Sequence, residues 1–369
     1  MGIGKELIHI KQASSLKANT NPSPQEPHRF HHRALRRNFL RRPTVISKTP
    51  AVRGHLAREG HMTAIHIGIS GWRYTPWRGD FYPKGLTQKR ELQFASRAVN
   101  SIEINGSFYA LQRPERYAQW YAETPPGFVF SVKAPRFITH IKRLRDIHKP
   151  LANFFASGVL ELKEKLGAIL WQFPPSFKFD PELFEDFLKQ LPHDTVSAAA
   201  LAREHEPRLD GHASIETDKK RPLRHAVEIR HESFIDPHFV ALLKRYDIAL
   251  VIADTAGKWP YREDVTSDFV YLRLHGAEEL YASGYTDEAL QRWGDRIEAW
   301  SHGKQPEDAH LIDPNKKPRA RKSREVFCYF DNDIKVRAPY DARHLLERFD
   351  LDKDLATTPG ERPAEGVLP

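Results

Sequence analysis

Eight short runs rich in β-branched and aromatic residues recur along the chain, with helix-like stretches between most of them. They span 65–70, 101–105, 128–133, 167–173, 225–230, 248–254, 269–275 and 326–330. Short apolar runs of this kind suit strands buried on both faces, as in parallel sheets. The stretches 87–98, 114–123, 151–166, 181–191, 237–246, 286–300 and 341–349 carry helical patterning or capping signals. Pro114, Pro181 and Pro237 suit a first helical turn, and Asp180 and Asp236 suit caps. The stretch 255–268 is too short for a helix assignment. The repetition predicts an α/β chain folded as a (β/α)8 TIM-barrel-like single domain over residues 63–350. An open doubly wound sheet uses the same alternation and is the other reading, because a sequence does not reveal closure.

Two segments interrupt the rhythm. Residues 192–224 mix an alanine run with His, Pro and charge, and residues 303–324 are rich in Pro, Lys and Arg. Both read as surface insertions. Residues 1–62 lack an apolar period and are rich in Arg, His, Pro and Asn, which reads as a disordered basic tail. Residues 351–369 read as a disordered C-terminal tail. Met62 stands immediately before the patterned sequence and is a candidate native start. An organellar transit peptide and a nucleic-acid-touching arm are the other readings of the tail.

Charge has to be located before it is interpreted. The chain carries a net +9, and residues 1–62 hold twelve Lys/Arg against three acids, which is the whole excess. Residues 63–369 hold 45 of each sign, so the body is neutral. No run of about 18 apolar residues exists, so no membrane span is expected and the location expected is cytoplasmic. The lone cysteine, Cys328, permits neither an intrachain disulfide nor a Cys-based zinc cluster. Neither a GxGxxG nor a P-loop signature is present, and no cofactor is indicated.

Side chains of a strand alternate faces with period two. Ser101, Glu103 and Asn105 therefore share one face, as do Ser131 and Lys133, Glu228 and Arg230, and Tyr271, Arg273 and His275. Ile102, Ile104, Val132, Val227, Ile229, Leu272 and Leu274 lie opposite and suit packing against outer helices. In a closed barrel the polar sets point inward near the carboxyl ends of the strands, where such folds place their ligands. One pocket would gather Glu103, Lys133, Gln172, Glu228, Arg230, Asp254, Arg273, His275 and Asn332. Buried charge costs several kcal/mol per ion unless it is compensated. The set is therefore either an ion-pair network filling the barrel top or a functional site.

The chemistry such a set allows is broad. Lys133, Arg230 and Arg273 can clamp a phosphate or carboxylate. Glu103 and Glu228 are candidates for general acid and base, with His275 and Asp254 as further proton-transfer groups. A divalent metal on Glu103, Glu228, Asp254, His231 and His275 is a weaker reading, because three cations would oppose it. The aromatics Trp72, Tyr74, Trp77, Phe108, Tyr109, Trp259 and Tyr261 follow the strands and can stack on a ring or pack the rim. His140 and His148 read as surface residues.

The motifs IGISGWRY, SIEINGSFY, FSVKAPR, ILWQFPPSF, AVEIRHESF, VIADTAGKWP, FVYLRLHG and YFDN follow one another in this order. Together they resemble the YecE-like family, the domain of unknown function 72, over about residues 64–349. The resemblance implies a TIM-barrel-like domain and assigns no activity. Its motif residues here are Trp72, Glu103, Asn105, Phe108, Tyr109, Lys133, Gln172, Glu228, Arg230, His231, Asp254, Arg273, His275, Gly276 and Asn332. Phe234 stands where the family pattern has Trp, Asp331 precedes Asn332 where two asparagines are usual, and Lys335, Val336 and Arg337 replace small residues.

The leading expectation is an enzyme or enzyme-derived barrel that binds a small anionic or phosphate-bearing ligand at its mouth. Trp72, Asn105, Tyr109, Gln172, His231 and Asn332 would join the cations in binding it. A nucleic-acid-binding or processing protein is the second reading, motivated by the basic tail and the basic segment 316–324. A non-catalytic barrel that binds a protein partner is the third.

Overall fold

Every one of the eight runs is a strand. The computed structural model describes residues 64–276, 280 and 283–368. The strands are β1 (Ile65–Ser70), β2 (Ser101–Ile104), β3 (Val129–Lys133), β4 (Leu166–Gln172), β5 (Arg224–Glu228), β6 (Ala249–Asp254), β7 (Phe269–Leu274) and β8 (Glu325–Phe330). They pair in sequence order, all parallel, and β1 closes on β8 from Ile65 opposite Val326 to Ile69 opposite Phe330. The sheet is a closed TIM-like barrel, not the open doubly wound alternative.

Period-two alternation sorts the apolar residues into two cores. Ile102, Ile104, Val132, Val227, Ile229, Leu272 and Leu274 belong to the large outer core between strands and helices. Inside the barrel lies a smaller core of Ala168, Leu170, Ala226, Ala249, Val251, Ala253, Phe269, Tyr271, Phe327 and Tyr329. Alanines from β4, β5 and β6 face aromatic rings from β7 and β8, so large residues fill the space that small ones leave. Tyr329 is tied across the interior to Ser101 Oγ at 2.7 Å and Ser131 Oγ at 2.8 Å. Gly68 permits the close approach of β1 to β2: a Cβ there would stand 1.7 Å from the Ser101 carbonyl oxygen.

Helices Glu91–Ala98, Pro114–Glu123, Pro181–Gln190, Pro237–Arg245, Asp287–Ser301 and Ala338–Arg348 form where the sequence places them, within a few residues. Asp180 and Asp236 cap their helices by accepting from the Leu183 and His238 amides at 3.2 and 2.8 Å. The expected helix 151–166 is two pieces, helix His148–Ala156 and a 3-10 stretch Val159–Lys165. Gly158 separates them at φ 103, where a Cβ would lie 2.4 Å from Pro114 Cα. The alanine run, expected to lie in a surface insertion, forms helix Thr195–Ala202, capped by Asp194 and packed on His148–Ala156. Small side chains there allow two helices to approach closely.

The segment after residue 350, expected to be disordered, packs back on the barrel. Thr357 donates from its amide to the Arg97 carbonyl and from Oγ1 to the Phe94 carbonyl, and the Gly360 amide bonds Phe81. Apolar contact adds to these hydrogen bonds: Leu351, Leu355 and Val367 pack against the outer core, and Leu368 is buried in it. The tail 1–62 and the candidate start Met62 lie outside the described residues. No helix among the described residues is long and apolar enough to cross a membrane.

Candidate functional site

The carboxyl ends of the strands converge on one fully buried side chain, Arg273 of β7. It donates from Nε and Nη2 to Glu103 at 3.1 and 2.9 Å. Nη1 donates to Glu228 at 2.8 Å, and Nη2 also reaches Asp331 at 2.7 Å and Ser70 Oγ at 3.1 Å. Four strand ends are thus tied to one guanidinium, each from an inward-facing position.

Glu103 and Glu228, expected to move protons, are fully occupied as acceptors. Glu103 takes additional bonds from Ser70 Oγ and from Tyr271 at 2.6 Å. Glu228 takes Gln172 at 2.9 Å on each oxygen and Arg230 Nε at 2.7 Å. Burial pushes the Glu228 carboxyl up, but Arg230 and Arg273 outweigh it and hold the group well below its ordinary range. Carboxylates held this way orient the cations around them. His275 is completely buried beside Asp331, its Nδ1 3.1 Å from Oδ2, and burial lowers its basicity.

Three expected site residues fall elsewhere. Asp254 shares the parity of Leu250 and Ile252, which face the helices, so its side chain leaves the barrel interior. It accepts from Tyr285 at 3.0 Å, and burial raises its pKa. Asn332 likewise points outward and clamps the backbone, donating to the Ser283 carbonyl at 3.0 Å and to Asp341 at 2.8 Å. His231 caps its own turn by accepting from the Ser233 amide at 3.0 Å.

Trp72 packs edge-to-face on Trp120 with centroids 5.3 Å apart. Tyr109 is 73% exposed on the rim of a cleft of about 810 Å³ that also includes Phe108, Phe137, Lys142 and Arg208. Asn105 joins the network through Nδ2, which donates to Ser70 Oγ at 2.8 Å.

Asp331 occupies the inward place expected of Asn332. Burial raises its carboxyl, but Arg273 and His275 overcome this and hold it low. Its neighbour Asp333 is pushed well up, by burial first and then by the Asp331 charge.

Lys133 differs from the other cations. It is 8% exposed, its ammonium stands 4.3 Å from the Phe108 ring centroid, and it forms no hydrogen bond or ion pair with a described residue. Burial, helped by repulsion from Arg273, lowers it to about 8. Arg230 lies beside it on β5's side of the mouth, its guanidinium 3.7 Å from the Trp259 centroid. His140, read from the sequence as a surface residue, belongs here too. Its pKa is lowered to about 4 by burial and then by Lys133, Arg136 and Arg230, which places it among these cations. It sits in a π-helical turn, Phe137–Ile141, a device that recurs at functional sites. The signal for it was the run of basic residues after β3, Lys133, Arg136 and His140, spaced three and four apart.

A sequence profile for the family described as "Protein of unknown function DUF72" matches residues 66–365. This chain belongs to that family. It is 32% identical over 121 residues to the UPF0759 protein YunF of Bacillus subtilis (strain 168), covering 31% of this chain and 41% of that protein. It is 31% identical over 130 residues to the UPF0759 protein YecE of Escherichia coli (strain K12), covering 35% and 44%. The aligned region thus spans less than half the length of these curated relatives. A DUF72 protein crystal structure from Thermotoga maritima MSB8 superposes with a TM-score of 0.59 at 24% identity, covering 78% of this chain and 99% of that one. Another from Enterococcus faecalis V583 gives 0.54 at 17%, covering 79% and 100%. At these identities the likeness concerns the fold. The family match also runs past residue 350, in keeping with the packed C-terminal segment.

Proposed function

We propose that the mouth of this DUF72 barrel binds a small anion, a phosphate or carboxylate group, between β3 and β5, as an enzyme or enzyme-derived barrel. The observation that carries this reading is Lys133, a nearly buried ammonium over the Phe108 ring that forms no hydrogen bond or ion pair with a described residue. An unpaired buried charge is costly, and an anion arriving there would recover that cost. Arg230, Arg136 and His140 surround the same place, and Glu228, itself held by Gln172, fixes Arg230. Arg273, Glu103 and Asp331 form the rigid base beneath, so the cations are held before a ligand arrives. With a pKa near 8, Lys133 is also the group best placed to exchange a proton with a bound substrate near neutral pH.

The test is thermal unfolding of the full chain with inorganic phosphate, sulfate, small carboxylates and a short oligonucleotide. Phosphate or a carboxylate should raise the midpoint, and Lys133→Met should diminish the rise. An equal rise in Lys133→Met would move binding away from the mouth and overturn the reading. Oligonucleotide binding that survives in Lys133→Met would assign nucleic acid to another surface, the basic tail first.

A further inference from the structure

A second cationic cleft lies outside the barrel mouth, between the loop after β1 and helix Pro114–Glu123. Two adjoining hollows, of about 330 and 560 Å³, share Trp72, Arg73, Trp120 and Arg116. The edge-to-face pair Trp72 and Trp120 gives the cleft an apolar floor. Arg73, Lys89, Arg90 and Arg116 line it, against a single carboxylate, Glu123, which already accepts from Gln119 at 2.6 Å. Arg73, Lys89 and Arg116 form no ion pair or side-chain hydrogen bond with a described residue. The nearby carboxylate Glu91 is fully buried and committed to Arg78 at 2.7 Å.

Like charges gathered in a concave site repel one another and focus a positive potential into it. That arrangement favours an anion, and the planar guanidinium forks match phosphate geometry. Two further atoms define the rest of the ligand. Asn105 Oδ1 at one end and Gln93 Oε1 at the other are buried and accept no bond from any described donor. The Asn105 amide has a fixed sense: Ser70 Oγ gives its proton to Glu103, so it must accept from Asn105 Nδ2, which leaves Oδ1 without a donor in a residue that lines the cleft. Both ends therefore offer acceptors that a ligand hydroxyl would satisfy.

We propose that this cleft binds a sugar phosphate or phosphorylated polyol. The phosphate sits on Arg73 and Arg116, the carbon skeleton crosses the Trp72–Trp120 floor, and hydroxyls donate to Asn105 and Gln93. This site is independent of the anion at Lys133.

Calorimetric titration of the full chain with glycerol 3-phosphate, ribose 5-phosphate and glucose 6-phosphate tests it, with inorganic phosphate and ribose as controls. At least one sugar or polyol phosphate should bind more tightly than inorganic phosphate. The double variant Arg73→Ala/Arg116→Ala should weaken that binding at least ten-fold, while Lys133→Met should leave it unchanged. Both arginines are exposed, so the variant's unfolding midpoint without ligand should match that of the parent. Binding that is unaffected by the arginine pair, no binding of any of the three phosphates, or equal affinity for inorganic phosphate would each overturn the proposal. Loss in Lys133→Met alone would move the ligand to the barrel mouth.

Discussion

Arg273 and Glu103 meet as a two-pronged pair at the barrel's centre, with Nε and Nη2 each donating to a different carboxylate oxygen and neither side chain reaching solvent. A pair in this position is worth little if replaced whole and a great deal if broken, because the survivor is left charged and dry. Here three carboxylates depend on one cation, so the hub is a single point of failure for the mouth.

Arg273→Met should therefore destabilise the chain by about 3–5 kcal/mol at neutral pH. In the parent, Glu228 and Asp331 have folded pKa values below the ordinary carboxylate range. Their contribution is fully present above about pH 4 and is lost as pH falls toward the folded values. In the variant the stranded carboxylates gain by protonation, so the gap to the parent should narrow below about pH 5. Urea unfolding from pH 7 to 3 checks this. A constant gap would mean that Arg273 matters through packing alone.

Lys133 gives a trend at the other end of the scale. Its folded pKa of about 8 lies below the unfolded value near 10.4. Between these values the unfolded chain holds a proton that the folded chain has released, so this group's contribution to stability rises with pH. Measured against Lys133→Met, the parent should gain about 3 kcal/mol from pH 8 to 10.4. Phosphate affinity should move the opposite way, falling above pH 8, and Lys133→Arg should remove that fall. A difference between parent and Lys133→Met that stays flat over this range would place the ammonium in water.

Asp254 separates the two sides of the wall. Burial raises its pKa, so the folded state favours the protonated acid and the ionised form weakens stability as pH climbs past the unfolded value. Asp254→Asn keeps an acceptor for Tyr285 and should match or exceed the parent in stability at pH 7. Because the side chain faces the helices, phosphate binding should be unaltered. A large loss of phosphate affinity in Asp254→Asn would return this residue to the ligand site.

The barrel was legible because parallel strands leave short apolar runs and because period two is rigid. Glu103, Lys133, Glu228 and Arg273 were placed together on that basis alone, and all meet at the mouth. Where phase was not followed through, the reading slipped by one residue. Asp254 and Asn332 end their strands, which suggests an inward place, but Ile252 and Phe330 set them on the outer face. Asp331, one step away from Asn332, departs from the family's pair of asparagines and is a partner of the hub. Saturation was not legible: nothing in a sequence says that Glu228 will meet Gln172, Arg230 and Arg273 together. His140 was not legible because Lys133 and Arg230 come from β3 and the end of β5, and only the fold brings them to its π-helical turn.

The aromatic wall of the barrel interior has a consequence for traffic. Phe269, Tyr271, Phe327 and Tyr329 fill the lower half from one side to the alanines on the other, and all four are at most 2% exposed. The lumen is stoppered beneath Arg273, so anything that reaches Lys133 arrives and departs through one doorway. A bound molecule there would have to leave before the next could enter.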